Sequence, residues 1–260
     1  MPQGGVARRA TKINEIRKTA KNTVLLLDGG STLFGQPLAT QSEGRVVVEA
    51  MNALGYDAMA VGRADLTRGV ETLLTRAREA RFRILSCNLV SSKDQKPLLE
   101  PYTIIERDKL RFGILGVTEP DAGSAPGERE IAQVLDPTAT VQRYLAEIRA
   151  KSDVLIVLSH LGLDLDKALA QQVPGIDIIV GGRSRKLLAQ PEKSGDTVIT
   201  QVGYDGEWLG RLDVSLSQGK VTESRGEVVG LGPDVPDDPA LAKLVESWKQ
   251  RFPEPTPPKP

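Results

Sequence analysis

The sequence predicts an α/β protein, and three observations predict it. Stretches with helical apolar spacing alternate with short, continuous apolar runs through the first two thirds of the chain. Two of those runs, 153–160 and 176–180, are apolar apart from Asp153 and Asp177 before they end in polar or glycine residues, as strands covered on both faces do. From Thr197 onward the pattern turns β-rich, with apolar and polar residues alternating. With 260 residues and 40% hydrophobic content, the chain can bury one sizeable core.

Val6, Ala10, Ile13 and Ile16 recur at near-helical spacing, which predicts a helix over 6–20. The run Thr23-Val24-Leu25-Leu26-Leu27-Asp28 then reads as a buried strand. The alternation continues with a helix over 43–54, a strand over 57–61, a helix over 69–80 and a strand over 83–87. Two strands follow at 102–106 and 110–117, separated by a turn at Asp108-Lys109. Asp136-Pro137 supplies an N-cap and a first-turn proline, so a helix should run from there to about Lys151. The strands at 153–160 and 176–180 end in glycine-rich loops, the usual location of sites in α/β proteins. Runs near 197–203, 209–216 and 220–229 predict a second, more antiparallel sheet. A last helix over 238–252 carries Leu241, Leu244, Val245, Trp248 and Phe252 on one stripe, before a proline-rich tail over 253–260.

Lys plus Arg and Asp plus Glu number 34 each, so no global charge excess draws the chain to nucleic acid or an anionic membrane, and any basic site must be local. No apolar run approaches the ~20 residues that span a bilayer, and no signal-peptide core follows the basic amino terminus. Cys87, the single cysteine, is expected at the buried end of a strand rather than as a reactive thiol. There is no Gly-x-x-x-x-Gly-Lys-Ser/Thr loop, no Gly-x-Ser-x-Gly elbow and no Cys-x-x-Cys pair.

Five stretches, taken together, resemble the bacterial 5'-nucleotidase branch of the calcineurin-like metallophosphoesterases. They are Gly4-Gly5-Val6-Ala7-Arg8-Arg9, Leu26-Leu27-Asp28-Gly29-Gly30-Ser31, the run from Asn52 to Gly62, Leu158-Ser159-His160-Leu161-Gly162, and Asp177-Ile178-Ile179-Val180-Gly181-Gly182. The resemblance implies an αββα sandwich, two mixed sheets flanked by helices, over residues 1–252. It also implies a centre of two divalent cations at the strand ends, which clamp a phosphoester and activate water.

Set against that pattern, the ligand positions carry the wrong chemistry. The metal-bridging aspartate falls on Ser31, the asparagine ligand on Arg63, the transition-state histidine on Ala64, and two further histidines on Arg183 and Arg185. His160 alone keeps its place, and arginine, always protonated, cannot ligate a metal. The family's opening Asp-x-His strand and its carboxy-terminal nucleotide-specificity domain have no counterpart in 1–260, so the neighbours of that strand should show open edges. These readings lead to the expectation of a non-catalytic binding or scaffold protein with no cofactor, no metal and no catalytic residue. A phosphoesterase with an altered metal site is the alternative. Arg63, Arg183, Arg185 and His160 would form an anion pocket, with Asp28 and Asp65 as the nearest carboxylates, and the candidate ligands are a phosphate-like anion and a protein partner. The family resemblance implies an extracytoplasmic origin.

Overall fold

The computed structural model describes residues 4–122, 130–217 and 219–253. Its helices are α1 (Val6–Thr19), α2 (Pro37–Gln41), α3 (Arg45–Leu54), α4 (Val70–Glu79), α5 (Pro137–Lys151), α6 (Leu163–Gln172) and α7 (Pro239–Arg251), with a 3-10 turn at Arg63–Leu66. Its strands are β1 (Leu27–Asp28), β2 (Ala58–Ala60), β3 (Arg83–Leu85), β4 (Leu89–Ser91), β5 (Tyr102–Arg107), β6 (Leu110–Val117) and β7 (Ala132–Val134). After these come β8 (Val154–Ser159), β9 (Ile178–Gly181), β10 (Glu192–Ser194), β11 (Thr197–Gln201), β12 (Trp208–Ser217) and β13 (Lys220–Gly230).

Two sheets face each other. One is the parallel trio β1-β2-β3, and the other has six strands in the order β10-β11-β9-β8-β6-β5, with antiparallel pairs at its two margins and parallel pairs between. The period-2 rule of a strand explains the layering directly. In β8, Val154, Ile156 and Leu158 face Ala58, Ala60 and Leu85 of the opposing sheet, whereas Leu155 and Val157 pack outward with Val141, Ile148 and Leu169 from α5 and α6. A third cluster closes the far side, where Ile13, Met51, Leu54, Leu73 and Leu241 from four helices meet Met59 and Ile84. Each layer is thus the buried face of a strand or the apolar stripe of a helix, and the expected sandwich of two sheets flanked by helices is the observed one, with the six-stranded sheet mixed and the described three-stranded sheet parallel.

The caps behave as the sequence implies. Asp136 accepts from the Ala139 N–H at 2.7 Å with Pro137 in the first turn, and Asp238 does the same for Ala240 and Leu241 ahead of α7. Cys87 is buried, and burial pushes its thiol well above the usual range. Among the described residues no helix is long and apolar enough to cross a membrane.

Some expectations need correction. The strand predicted over 23–28 pairs only at Leu27 and Asp28, and among the described residues β2 is its one ladder neighbour. The run after Thr197 does not start a second sheet: β11 joins the main sheet parallel to β9, and only β12 and β13 form the separate antiparallel ribbon. α2, α6, β4, β7 and β10 were not anticipated. Beyond Pro253 the predicted tail lies outside the described residues.

Among the described residues β1 and β12 each have a ladder partner on one side only, and both line one deep cleft of about 3090 Å³. Leu25, Leu27, Leu209, Leu212 and Val214 give the cleft an apolar wall, while its polar end lies at the carboxyl ends of β1, β8 and β9.

Candidate functional site

Four loops meet at that polar end, each leaving the carboxyl end of a parallel strand. They are Gly29–Leu33 after β1, Gly62–Leu66 after β2, His160–Gly162 after β8 and Gly182–Arg185 after β9. The loops touch through their glycines. A Cβ on Gly62 would lie 2.5 Å from the His160 ring and 2.3 Å from Ser31 Oγ, and one on Gly182 would lie 2.6 Å from His160 Nδ1. His160 is therefore gripped between two stretches of main chain that admit no side chain.

The hydrogen bonds of His160 fix its tautomer. Nδ1 lies 2.8 Å from the Gly29 carbonyl oxygen, which can only accept, so Nδ1 carries the proton and donates it. Nε2 is left with its lone pair, and the Ser31 hydroxyl, 2.9 Å away, donates to it. Ser31 Oγ in turn accepts the Ala64 N–H at 3.2 Å. Ser31 sits at φ 59°, a left-handed conformation that a non-glycine residue adopts at a cost.

Asp65 sustains that turn. Its carboxylate is fully buried and accepts four backbone N–H groups: Ser31 (2.7 Å) and Gly62 (2.9 Å) on one oxygen, Thr32 and Leu33 (2.8 Å each) on the other. Burial pushes its carboxyl up to about 6, against the pull of the N–H groups of Gly62, Leu33 and Ser31 and of nearby His160. Asp28 adds bonds to the Gly30 N–H and the Thr32 hydroxyl. Both carboxylates thus hold the Ser31 loop, and neither hydrogen-bonds an arginine of the site.

The arginines find another partner, which the sequence reading missed. The Arg63 guanidinium pairs with the Asp121 carboxylate and carbonyl, and Arg183 holds both carboxylate oxygens of Asp121 at 3.0 and 3.1 Å while also bonding the Leu161 carbonyl. Arg185 leaves this group and stacks 5.1 Å over the Tyr204 ring. Glu119, also missed, is buried; one of its oxygens accepts the Arg63 N–H, lying 3.9 Å from His160 Nε2, and the other has no hydrogen-bond partner among the described residues. Asp121 and Glu119 lie on an aperiodic stretch, so only a charge count near the strand end could have singled them out.

This donor set does not fit a pair of divalent cations. His160 commits both ring nitrogens within the protein, Asp65 is saturated by main-chain donors, and Ser31, Ala64 and two guanidinium groups supply no anionic oxygen. Among the described residues no group of three His, Cys, Asp or Glu side chains is placed to hold a metal ion.

No protein-family profile matches the chain. The comparisons define its class first by fold: it superposes on the Thermus thermophilus 5'-nucleotidase precursor with a TM-score of 0.89 at 30% identity, covering 96% of this chain and 54% of that one. It also superposes on the Thermus thermophilus sulfate thiohydrolase SoxB with a TM-score of 0.90 at 26% identity, covering 96% of this chain and 47% of that one. In sequence it is 32% identical to the 5'-nucleotidase of Bos taurus over 276 residues, which takes in 96% of this chain and 48% of the relative. The chain is a homologue of the 5'-nucleotidases and carries the calcineurin-like phosphoesterase fold. It spans about half the length of the curated relatives it matches.

These relatives correct the expectation of a chain without enzymatic activity. The proteins that match across 95–96% of its length bear the names of hydrolases and point to a hydrolase here. A lost ligand position bears only on chemistry that the ligand would support.

Proposed function

We propose that this chain is a 5'-nucleotidase-like phosphoester hydrolase whose substrate phosphate is held by Arg63 and Arg183 in place of cations. One observation carries the reading: two guanidinium groups converge on a single carboxylate, Asp121, at the polar end of the cleft. Two positive charges share one negative charge there, and planar guanidinium forks suit a tetrahedral oxyanion as well as a carboxylate. The side chains are 39–55% exposed, so each ion pair is worth only about 0–1 kcal/mol. A phosphate dianion displaces Asp121 at small cost. Arg185 and His160, engaged with Tyr204 and with Ser31 and Gly29, stand outside this seat. The names of the relatives support a nucleoside 5'-phosphate as substrate class, and a relative described as a precursor supports an extracytoplasmic setting.

Thermal unfolding under a phosphate titration, with chloride holding ionic strength constant, tests the seat. Phosphate at ten times its dissociation constant should add about 1.4 kcal/mol of stability to the wild type. An Arg63→Ala, Arg183→Ala double variant should lose most of that gain, and rising salt should weaken binding in the wild type. Equal stabilisation of the two proteins refutes the arginine seat. Release of phosphate from adenosine 5'-monophosphate tests the hydrolase reading itself.

A further inference from the structure

We propose that Ser31 is the nucleophile of this site and His160 its general base, so that hydrolysis passes through a phosphoserine. The inference rests on the hydrolase reading above and deepens it by naming the groups that react.

Three features place the pair. Ser31 Oγ donates to His160 Nε2 at 2.9 Å, and the Nδ1–H bond to the Gly29 carbonyl keeps Nε2 in its proton-accepting form. The main chain of Gly62 and Gly182 grips the imidazole, so its aim at Ser31 needs no side-chain orienter. Ser31 itself sits at positive φ on the tight turn that leaves β1, half-buried, and it lines the cleft together with His160, Arg63 and Arg183. A strained turn at a strand end that presents an oxygen to a cleft is how nucleophilic serines are displayed on α/β scaffolds. The Glu119 oxygen that accepts the Arg63 N–H also faces Nε2 at 3.9 Å, so the positive charge that arrives on the ring meets a negative one.

The chemistry balances on these groups and water. As Ser31 Oγ bonds to the substrate phosphorus, its proton passes to His160 Nε2. The bond from phosphorus to the leaving alcohol oxygen, opposite Ser31 Oγ in an in-line displacement, breaks; that oxygen takes a proton from water in the cleft, and Nε2 returns its own proton to solvent before the second half. In the second half, water attacks the phosphoserine and gives its proton to Nε2. The bond between phosphorus and Ser31 Oγ breaks, and Oγ recovers the proton. Arg63 and Arg183 hold the non-bridging oxygens throughout.

An organofluorophosphate probe, diisopropyl fluorophosphate, reads the pair without relying on turnover, because attack by Ser31 expels fluoride and leaves a stable adduct. Mass spectrometry of the full chain should locate one adduct on the peptide holding Ser31. The adduct should be absent in Ser31→Ala and at least about 100-fold slower to form in His160→Gln, the usual contribution of a general base. Adducts elsewhere only, or equal labelling of Ser31 in His160→Gln, overturn the proposal. Should His160→Gln fail to fold, a Ser31→Cys variant gives the second reading. Its thiol at position 31 should react with iodoacetamide faster than free glutathione at the same pH, and a slower reaction overturns the proposal. Hydrolysis of p-nitrophenyl phosphate that survives Ser31→Ala sinks the dyad and leaves the hydrolase reading standing. Labelling of Ser31 in a protein that neither hydrolyses phosphoesters nor is stabilised by phosphate does the reverse.

Discussion

Replacing Asp65 by asparagine should cost about 3–5 kcal/mol of unfolding free energy, the range for a buried charge network that loses one partner. Asparagine is nearly the same shape, so the loss comes from hydrogen-bond polarity alone. Each Asp65 oxygen accepts two backbone N–H groups, and whichever way an amide is turned, its NH2 faces two donors. Asp65→Ala leaves all four donors unpaired and should fall in the same range. In a chain of this size the melting temperature should drop by roughly 10 °C. Chemical denaturation of the three proteins checks this, and an asparagine variant within about 1 kcal/mol of wild type would show that the loop relaxes around the amide. Because the lost bonds tie down Ser31 and Thr32, the same variant should also loosen the seat of the proposed nucleophile.

The second large effect concerns Asp166 on α6, which plays no part in the site. Its side chain is fully buried; one oxygen accepts the Ser159 hydroxyl, and the other has no hydrogen-bond partner among the described residues. Burial pushes its carboxyl from 3.8 up to about 7, with the Ser159 bond pulling the other way. A carboxyl whose affinity for a proton is higher in the folded state than in the unfolded state favours folding at low pH. Between pH 4 and 7 the native protein keeps that proton while the unfolded chain has lost it, so stability declines as pH rises through this window and levels off above it. The displacement corresponds to about 4 kcal/mol as an order of magnitude, at about 1.4 kcal/mol per tenfold change in proton affinity. Asp65, displaced in the same direction, contributes a similar slope up to about pH 6. The contribution of Asp166 is therefore isolated by difference. The stability of Asp166→Asn relative to wild type should rise by up to that amount from pH 4 to pH 8, measured by urea unfolding at each pH. A constant difference across the range would mean that Asp166 stays ionised or gains a partner in solution.

What could be read from the sequence follows from where periodicity exists. Strands buried on both faces, such as 154–159, and helices with a clear N-cap, such as the one opened by Asp136-Pro137, were legible. α6 was not, because Leu163-Asp164-Leu165-Asp166 alternates at period 2 where the helix begins, and one of its two aspartates is buried against the apolar trend. Leu25 and Leu26 look like strand in sequence, yet a ladder needs a neighbour, and among the described residues β1 has one on a single side. In the site, the loops that carry Ser31, Arg63, His160 and Arg183 meet at one end of the cleft, while Arg185 turns to Tyr204. The partners of those residues were beyond reach. Arg63 and Arg183 meet Asp121 from sequence distances of 58 and 62 residues, and nothing local to Asp121 marks it as their counter-ion.

The glycine contacts around His160 bear on how such a site can change over evolutionary time. Gly62 and Gly182 set the distances between loops by main-chain contact, and neither has room for a side chain. Ser31, Arg63 and Arg183, each the residue directly after a glycine, have side chains that reach the cleft and are half-buried or exposed. Shape and chemistry are therefore assigned to alternate residues along the same short loops. Exchanging the group at the exposed positions 63 or 183 disturbs little packing, so a lineage can pass through many side-chain combinations there without losing the fold. A scaffold of this kind makes catalytic repertoire cheap to vary and loop geometry expensive to vary.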